Sequence, residues 1–222
     1  MKPFAPPHTA SECTLCLVRH GETPWNAERR LQGHLDIELN ANGLAQAQHT
    51  ARTLAGTRFA AIYSSDLQRA RQTAEAIAHR CELPVHTDPR LRERHYGAFQ
   101  GLTYEEAESR YPEAYACFKA RVGEFPFPGD GESLTGFAAR IRTALDAIAA
   151  RHAGAQVLVV THGGVLDIAH RLATGKAIGA ARDFALPNAA LNWIAQGAGQ
   201  WRLITWADER HLQGALDELP NS

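Results

Sequence analysis

Two stretches of this chain, Cys13-Thr14-Leu15-Cys16-Leu17-Val18 and Gln156-Val157-Leu158-Val159-Val160, are almost continuously apolar. Each ends close to a histidine followed by glycine, His20-Gly21 and His162-Gly163. Short runs of this kind read as buried strands, and a sheet built on them needs helices to cover it. The intervening sequence supplies the helices. Asn40-Ala41-Asn42-Gly43 offers capping residues before an alanine-rich segment from Leu44 to Leu54. Asp66 is placed to open a second helix, in which Leu67, Ala70, Ala74, Ile77 and Cys81 recur at three- and four-residue steps. Ser133 is placed to cap a third helix, which carries Leu134, Phe137, Ile141, Leu145 and Ile148 on one stripe, and residues 164–174 form a fourth. Leu83 to Thr87 reads as a short edge strand because Pro84 is tolerated there, and Ala190–Ala195 and Trp201–Trp206 read as two late strands around a glycine turn. The predicted fold is α/β, a three-layer sandwich with a mostly parallel central sheet and helices on both faces.

In open α/β sheets, ligands bind beyond the carboxyl ends of the strands. Both histidines are predicted to lie at that edge, the first beside Arg19, so the expected ligand is an anion and phosphate is the natural candidate. A third segment, Ser64-Ser65-Asp66-Leu67-Gln68-Arg69-Ala70-Arg71, follows the apolar run Ala60–Tyr63 and puts arginines at the start of a helix, where free N–H groups and the dipole already favour anions.

With 222 residues, the chain can bury a sizeable core in one domain over residues 13–222, preceded by a proline-rich arm over residues 1–12. The segment from Arg94 to Gly131 changes character. A helical stretch, Thr103 to Arg121, carries Tyr104, Tyr111, Tyr115 and Phe118 and leads into Phe125-Pro126-Phe127-Pro128-Gly129, which together suggest an inserted lid over residues 94–131. A net charge of −1 gives no bulk attraction to nucleic acid or membranes. No run of about 18 apolar residues occurs, and the first residues lack a signal-peptide core, so a cytoplasmic protein is expected. Cys13 and Cys16 lie three apart on a predicted strand and therefore face opposite ways, which argues against a shared metal.

Four motifs in this order, Leu17-Val18-Arg19-His20-Gly21-Glu22-Thr23, Ser65-Asp66-Leu67-Gln68-Arg69-Ala70, Leu91-Arg92-Glu93-Arg94-His95-Tyr96-Gly97 and Thr161-His162-Gly163, resemble the histidine phosphatase superfamily, which includes the cofactor-dependent phosphoglycerate mutases. The resemblance runs from about Leu15 to the last strand. It implies that His20 is the nucleophile, that Arg19, Arg69 and His162 hold the phosphoryl oxygens, and that Glu93 is the proton donor. It also implies a pocket to which Gly21, Asn26, Gln32, Gly33, Arg71, Arg94, Tyr96 and Gly163 contribute. Phosphoryl transfer needs mainly positioning and charge stabilisation, which guanidiniums and imidazoles supply without a metal or organic cofactor. A neutral His20 is required, and Arg19 should favour it, with a backbone carbonyl fixing the tautomer.

The resemblance to the mutases is incomplete. Where they carry a substrate-binding lysine, this chain has Tyr104, and between Tyr115 and Phe127 only Lys119 and Arg121 are basic. The expected activity is hydrolysis of a small-molecule phosphate monoester by a monomer or homodimer. The alternatives are a phosphoglycerate mutase and, less readily, a binding module without catalysis, which would be expected to have replaced His20 or Glu93. For single residues the bland readings are a core histidine, an exposed helix arginine and a solvated carboxylate. Two histidines, each at a strand end and each followed by glycine, outweigh the first of these. Tyr104, Tyr111 and Phe118 are as readily packing residues as substrate contacts.

Overall fold

The computed structural model describes residues 11–212. The arm assigned to residues 1–12 lies almost wholly outside them, and Glu12, counted with it, pairs with Arg202 at 2.6 Å. The central strand β1 (Cys13–Arg19) is followed by a single-turn helix, α1 (Pro24–Ala27), and by α2 (Ala41–Leu54). Next come β2 (Ala61–Ser64), α3 (Gln68–Cys81) and β3 (Val85–Thr87). Two short helices, α4 (Tyr104–Arg110) and α5 (Pro112–Lys119), precede α6 (Leu134–Arg151), β4 (Gln156–Thr161) and α7 (Gly163–Thr174). The hairpin β5 (Leu191–Gly197) and β6 (Gln200–Asp208) closes the described chain.

The six strands lie in the order β3-β2-β4-β1-β5-β6. β1, β2, β3 and β4 are parallel, and β5 and β6 join antiparallel at one edge. Because successive strand residues point to opposite faces, β1 feeds two cores. Leu15 and Leu17 face Phe137, Ile141 and Leu145 of α6 and Leu166 of α7, while Cys16 and Val18 face Ala51 and Leu54 of α2 and Ala74 and Ile77 of α3. Cys13 belongs to the first cluster and Cys16 to the second, so the two thiols sit on opposite sides of the sheet. Among the described residues, no three His, Cys, Asp or Glu side chains gather in a way that could hold a metal ion, and no helix is long and apolar enough to cross a membrane.

Three local expectations are corrected. Helix α2 starts at Ala41, three residues earlier than the pattern suggests, because Asn40 Oδ1 accepts from Gly43 N and caps it. Asp66 caps nothing: both its oxygens bind Arg92, at 2.7 and 2.6 Å, and the free Gln68 N–H is taken instead by Asp36 from a distant loop. The stretch from Thr103 to Arg121 is two helices, since Pro112 at the first position of α5 disfavours helical backbone at Tyr111, whose φ and ψ are −137° and 60°. Thr103 and Glu106 form a capping box on α4. This segment builds a third core of its own, with Leu31, Phe99, Ala107, Ala114 and Phe127 packed against Tyr111, Tyr115 and Phe118.

Candidate active site

The register of the two central strands builds the site. β1 and β4 are parallel neighbours with Arg19 opposite Thr161, so the next residues, His20 and His162, leave the sheet side by side. Their ring centroids are 5.2 Å apart, close to the spacing of neighbouring strands. His20 Nδ1 lies 2.7 Å from the carbonyl oxygen of Gly21. A carbonyl only accepts, so Nδ1 carries the proton and Nε2 presents its lone pair. Burial first, then the Arg69 and Arg19 charges, hold the His20 pKa well below 6.5, which keeps the ring neutral.

Gly21 is needed where it stands. Its N–H donates to Thr73 Oγ1 on α3, and a Cβ there would lie 2.4 Å from Gly43 O in the first turn of α2. The loop that carries His20 is thus pressed between two helices, and Asn188 Nδ2 donates to the His20 carbonyl at 2.8 Å.

Arg69, in the first turn of α3, is fully buried. Its Nε donates to His162 Nδ1 at 3.2 Å, and its Nη1 and Nη2 donate to the carbonyls of Leu35 and Gly33, both at 2.8 Å. Burial lowers its pKa to about 10, so it stays cationic. Because His162 Nδ1 accepts, His162 Nε2 carries the proton, and that buried N–H has no partner within the described protein. Arg19 is similar: Nη1 donates to Leu186 O at 2.6 Å, and the buried Nε has no partner. Donors without partners in a buried site are costly unless a ligand satisfies them. A cavity of about 80 Å³ opens at His20, lined also by Arg19, Arg69, Gln32, Glu93, Tyr96 and Tyr104, and the His162 ring packs against His20 beside it.

Glu93 enters from a loop between β3 and α4 and is 9% exposed. Its Oε1 accepts from the Arg94 N–H at 2.8 Å, and Oε2 accepts from the Gly164 N–H at 2.9 Å, in the first turn of α7. Arg140 Nη2 and His34 Nε2 bind the Glu93 carbonyl and brace its main chain. Glu93 borders both the small cavity and a wider cleft of about 510 Å³. Apolar Phe118, Leu134 and Phe137 line that cleft, with Lys119 and Arg182 among its charged residues.

The remaining expected residues divide. Asn26 borders the cavity with its Oδ1 engaged by Thr23, and Gln32 lines it with Oε1 buried and unpartnered. Tyr96 borders both spaces, and burial together with Glu93 pushes its phenol well above its ordinary pKa, so it stays protonated. Arg94 borders the wider cleft, but its guanidinium donates to the Glu132 carbonyl and lies over the Phe127 ring. Gly33 supplies the carbonyl that fixes Arg69, not a wall of the cavity. Gly163 lines the wider cleft. Arg71 is a correction: it is half exposed on the outer face of α3 and pairs with Glu75, because its position is two residues, just over half a turn, from Arg69.

Other contributors were not singled out by the sequence. Gly164 carries a signal, the Gly163-Gly164 doublet, and here a Cβ would lie 2.1 Å from Glu93 Oε1. Thr73, Asn188 and Arg182 carry none. Tyr104 borders the cavity and the wider cleft at once, which makes it more than a packing residue.

The family described as the histidine phosphatase superfamily (branch 1) matches residues 15–209. Phosphoglycerate mutase-like protein 4 of Arabidopsis thaliana is 44% identical over 202 residues, covering 90% of this chain and 86% of that protein. The metal-independent phosphoserine phosphatase of Arabidopsis thaliana is 43% identical over 206 residues, covering 91% of this chain and 84% of that protein. Among solved structures, Bacillus stearothermophilus YhfR superposes with a TM-score of 0.85 at 32% identity, covering 90% of this chain and all of that one.

Proposed function

The chain belongs to branch 1 of the histidine phosphatase superfamily, and from that premise we propose that it hydrolyses small phosphate monoesters through a phosphohistidine on Nε2 of His20. The observation that carries this reading is the lock on His20: Nδ1–H is held by the Gly21 carbonyl and the ring is kept neutral by burial and two arginines. The free lone pair therefore faces a cavity ringed by positive donors.

The ester phosphorus enters that cavity, with its equatorial oxygens on Arg19 Nε, His162 Nε2–H and the Arg69 guanidinium. Nε2 of His20 attacks in line with the ester oxygen, the P–O bond breaks, and the bonding pair leaves with the alcohol oxygen. Glu93, protonated at this point, gives its proton to that oxygen. The Glu93 carboxylate then takes a proton from water, whose oxygen attacks phosphorus. The P–N bond breaks, and phosphate and neutral His20 are restored. The charges at Arg19 and Arg69 stabilise the transferring group without reorganisation, because carbonyls already hold both guanidiniums.

The alcohol lies in the cleft that Glu93 borders, since the acid has to reach the leaving oxygen. That cleft joins apolar walls to Lys119 and Arg182, which suits a small alcohol bearing an anionic group. Phosphoserine is the first ester to test, given the phosphatase relative. Residues 94–131 supply one wall of that cleft, through Tyr96, Tyr104, Phe118 and Lys119, and the loop bearing Arg182 supplies another.

The test is phosphate release from a panel of esters with a chelator present, together with trapping of an acid-labile phosphoenzyme. The wild-type protein is expected to show both and His20→Ala neither. Substantial hydrolysis by His20→Ala would reject the nucleophile. Isomerisation of phosphoglycerate with added bisphosphoglycerate, faster than release of phosphate, would make the protein a mutase, and binding without turnover would make it a sensor.

A further inference from the structure

Beyond the phosphoryl cavity, Asp167 is an unusually well-bonded charged side chain. It lies on α7, the helix whose first turn fixes Glu93, and is 4% exposed. Two arginines converge on its carboxylate. Arg171, one turn further along α7 and 1% exposed, donates Nε to Oδ2 at 3.1 Å and Nη2 to Oδ1. Arg121, just past α5, donates Nη2 to Oδ2.

Charge neutralisation does not explain two cations on one anion. The remaining donors do. Arg171 Nη1 binds the carbonyl of Ala177, and Arg121 Nε binds that of the next residue, Ile178, at 2.8 Å. The cluster therefore ties the end of α5 to two segments distant from it in sequence, the body of α7 and the loop that follows α7. Arg121 adopts a left-handed backbone, φ 55°, unusual for a residue with a side chain, and its carbonyl would lie 3.6 Å from a Cβ built on Gly179 of that loop. Arg121 and Asp167 themselves border the wide cleft, as do Lys119, two residues before Arg121, and Arg182, four residues after Ile178.

We propose that Arg121, Asp167 and Arg171 form a positioning cluster that fixes the spacing between the two walls of the alcohol cleft, and so sets which phosphate esters the protein selects. The proposal rests on the reading of that cleft as the alcohol's site. A bidentate bridge is essential to it. Arg121 has to reach the Asp167 carboxylate and the Ile178 carbonyl together, which the planar fork of a guanidinium allows and the point charge of an ammonium does not.

The test uses the full chain and two variants, Arg121→Lys, which keeps the charge and loses the fork, and Asp167→Asn, which keeps the shape and loses the anion. Kinetic constants are measured on phosphoserine, 3-phosphoglycerate, glycerol phosphate and p-nitrophenyl phosphate, and hydrogen–deuterium exchange is followed over residues 117–123 and 176–183. In both variants the spread of kcat/KM across the esters is expected to shrink by about tenfold through KM, with kcat holding to about twofold. Exchange is expected to rise in both segments together, in either variant.

Three results would overturn the proposal: a wild-type spread in Arg121→Lys, a lower KM for the anionic esters in Asp167→Asn, or exchange that rises only near the substituted residue. The second would make Arg121 a direct ligand released by the substitution. Absence of turnover in the wild-type protein counts against the phosphatase reading alone, because the exchange measurement decides the cluster without activity.

Discussion

Adjacent glycines at the start of α7 make a sharp test of the proton donor. At Gly164 an added Cβ would sit 2.1 Å from Glu93 Oε1, 3.0 Å from its Cδ and 3.2 Å from Phe137 Cε1. Ordinary carbon–oxygen contact begins well beyond 3 Å, so in Gly164→Ala the carboxylate has to retreat by about 1 Å. The retreat stretches the 2.9 Å hydrogen bond from Gly164 N that fixes Oε2. A displacement of about 1 Å costs on the order of 100-fold, which is also within the range expected for general acid catalysis. At Gly163 an added Cβ meets Arg19 Cζ at 3.5 Å, an ordinary contact, so Gly163→Ala is expected to lose about tenfold less. Both substitutions put alanine into the first turn of a helix, so helix propensity cancels between them. The chemistry supplies a second contrast. A nitrophenolate leaves without a proton, whereas an alkoxide needs one, so Gly164→Ala should slow phosphoserine or glycerol phosphate far more than p-nitrophenyl phosphate. The assay is kcat on both ester types for both variants, with melting temperatures to confirm folding. Equal losses for the two glycines, or equal losses for the two ester types, would refute the placement of Glu93 as the acid.

Three further outcomes are expected. Arg69 is one of the charges that depress the His20 pKa, so in Arg69→Met the acid limb of kcat/KM should move to higher pH, and a limb that stays in place would remove Arg69 from that role. His20 and His162 are both buried with pKa values held well below 6.5, so the unfolded chain binds more protons and stability should fall as pH drops below 6.5. The slope is about 1.4 kcal/mol per pH unit for each histidine, readable from urea midpoints between pH 7 and pH 5 and reduced in His162→Gln. Leu17, fully buried in β1, should cost about 3 kcal/mol as Leu17→Ala, and a urea midpoint near wild type would contradict the packing described for that face.

Much of the fold was legible because its signals are local. The apolar runs of β1 and β4, the stripe on α6 and the proline before the edge strand β3 each specify an element within a few residues. Misreadings came where a distant group replaced a local one. Asp66 looks like a cap and binds Arg92, while the N–H it was expected to cap goes to Asp36, 32 residues away. Arg71 shares its motif with Arg69, yet the turn of the helix points one to the cavity and the other to Glu75.

The sequence by itself determined the layers, the strand ends that present His20 and His162, and the residue types needed for a phosphohistidine, because periodicity and motif order are properties of the chain. Tertiary structure alone decided the rest. The register of β1 against β4 sets the imidazoles side by side. Arg69 is held by carbonyls of Gly33 and Leu35, and Glu93 by the N–H of Gly164, 71 residues away. The cluster on Asp167 ties the end of α5 to α7 and the loop after it, 46 and 57 residues away. Hydrogen bonds of this reach depend on which backbone groups are left unpaired once the sheet and helices have formed. No sequence window contains that information, and it is the information that positions the charges around His20 and the walls of the neighbouring cleft.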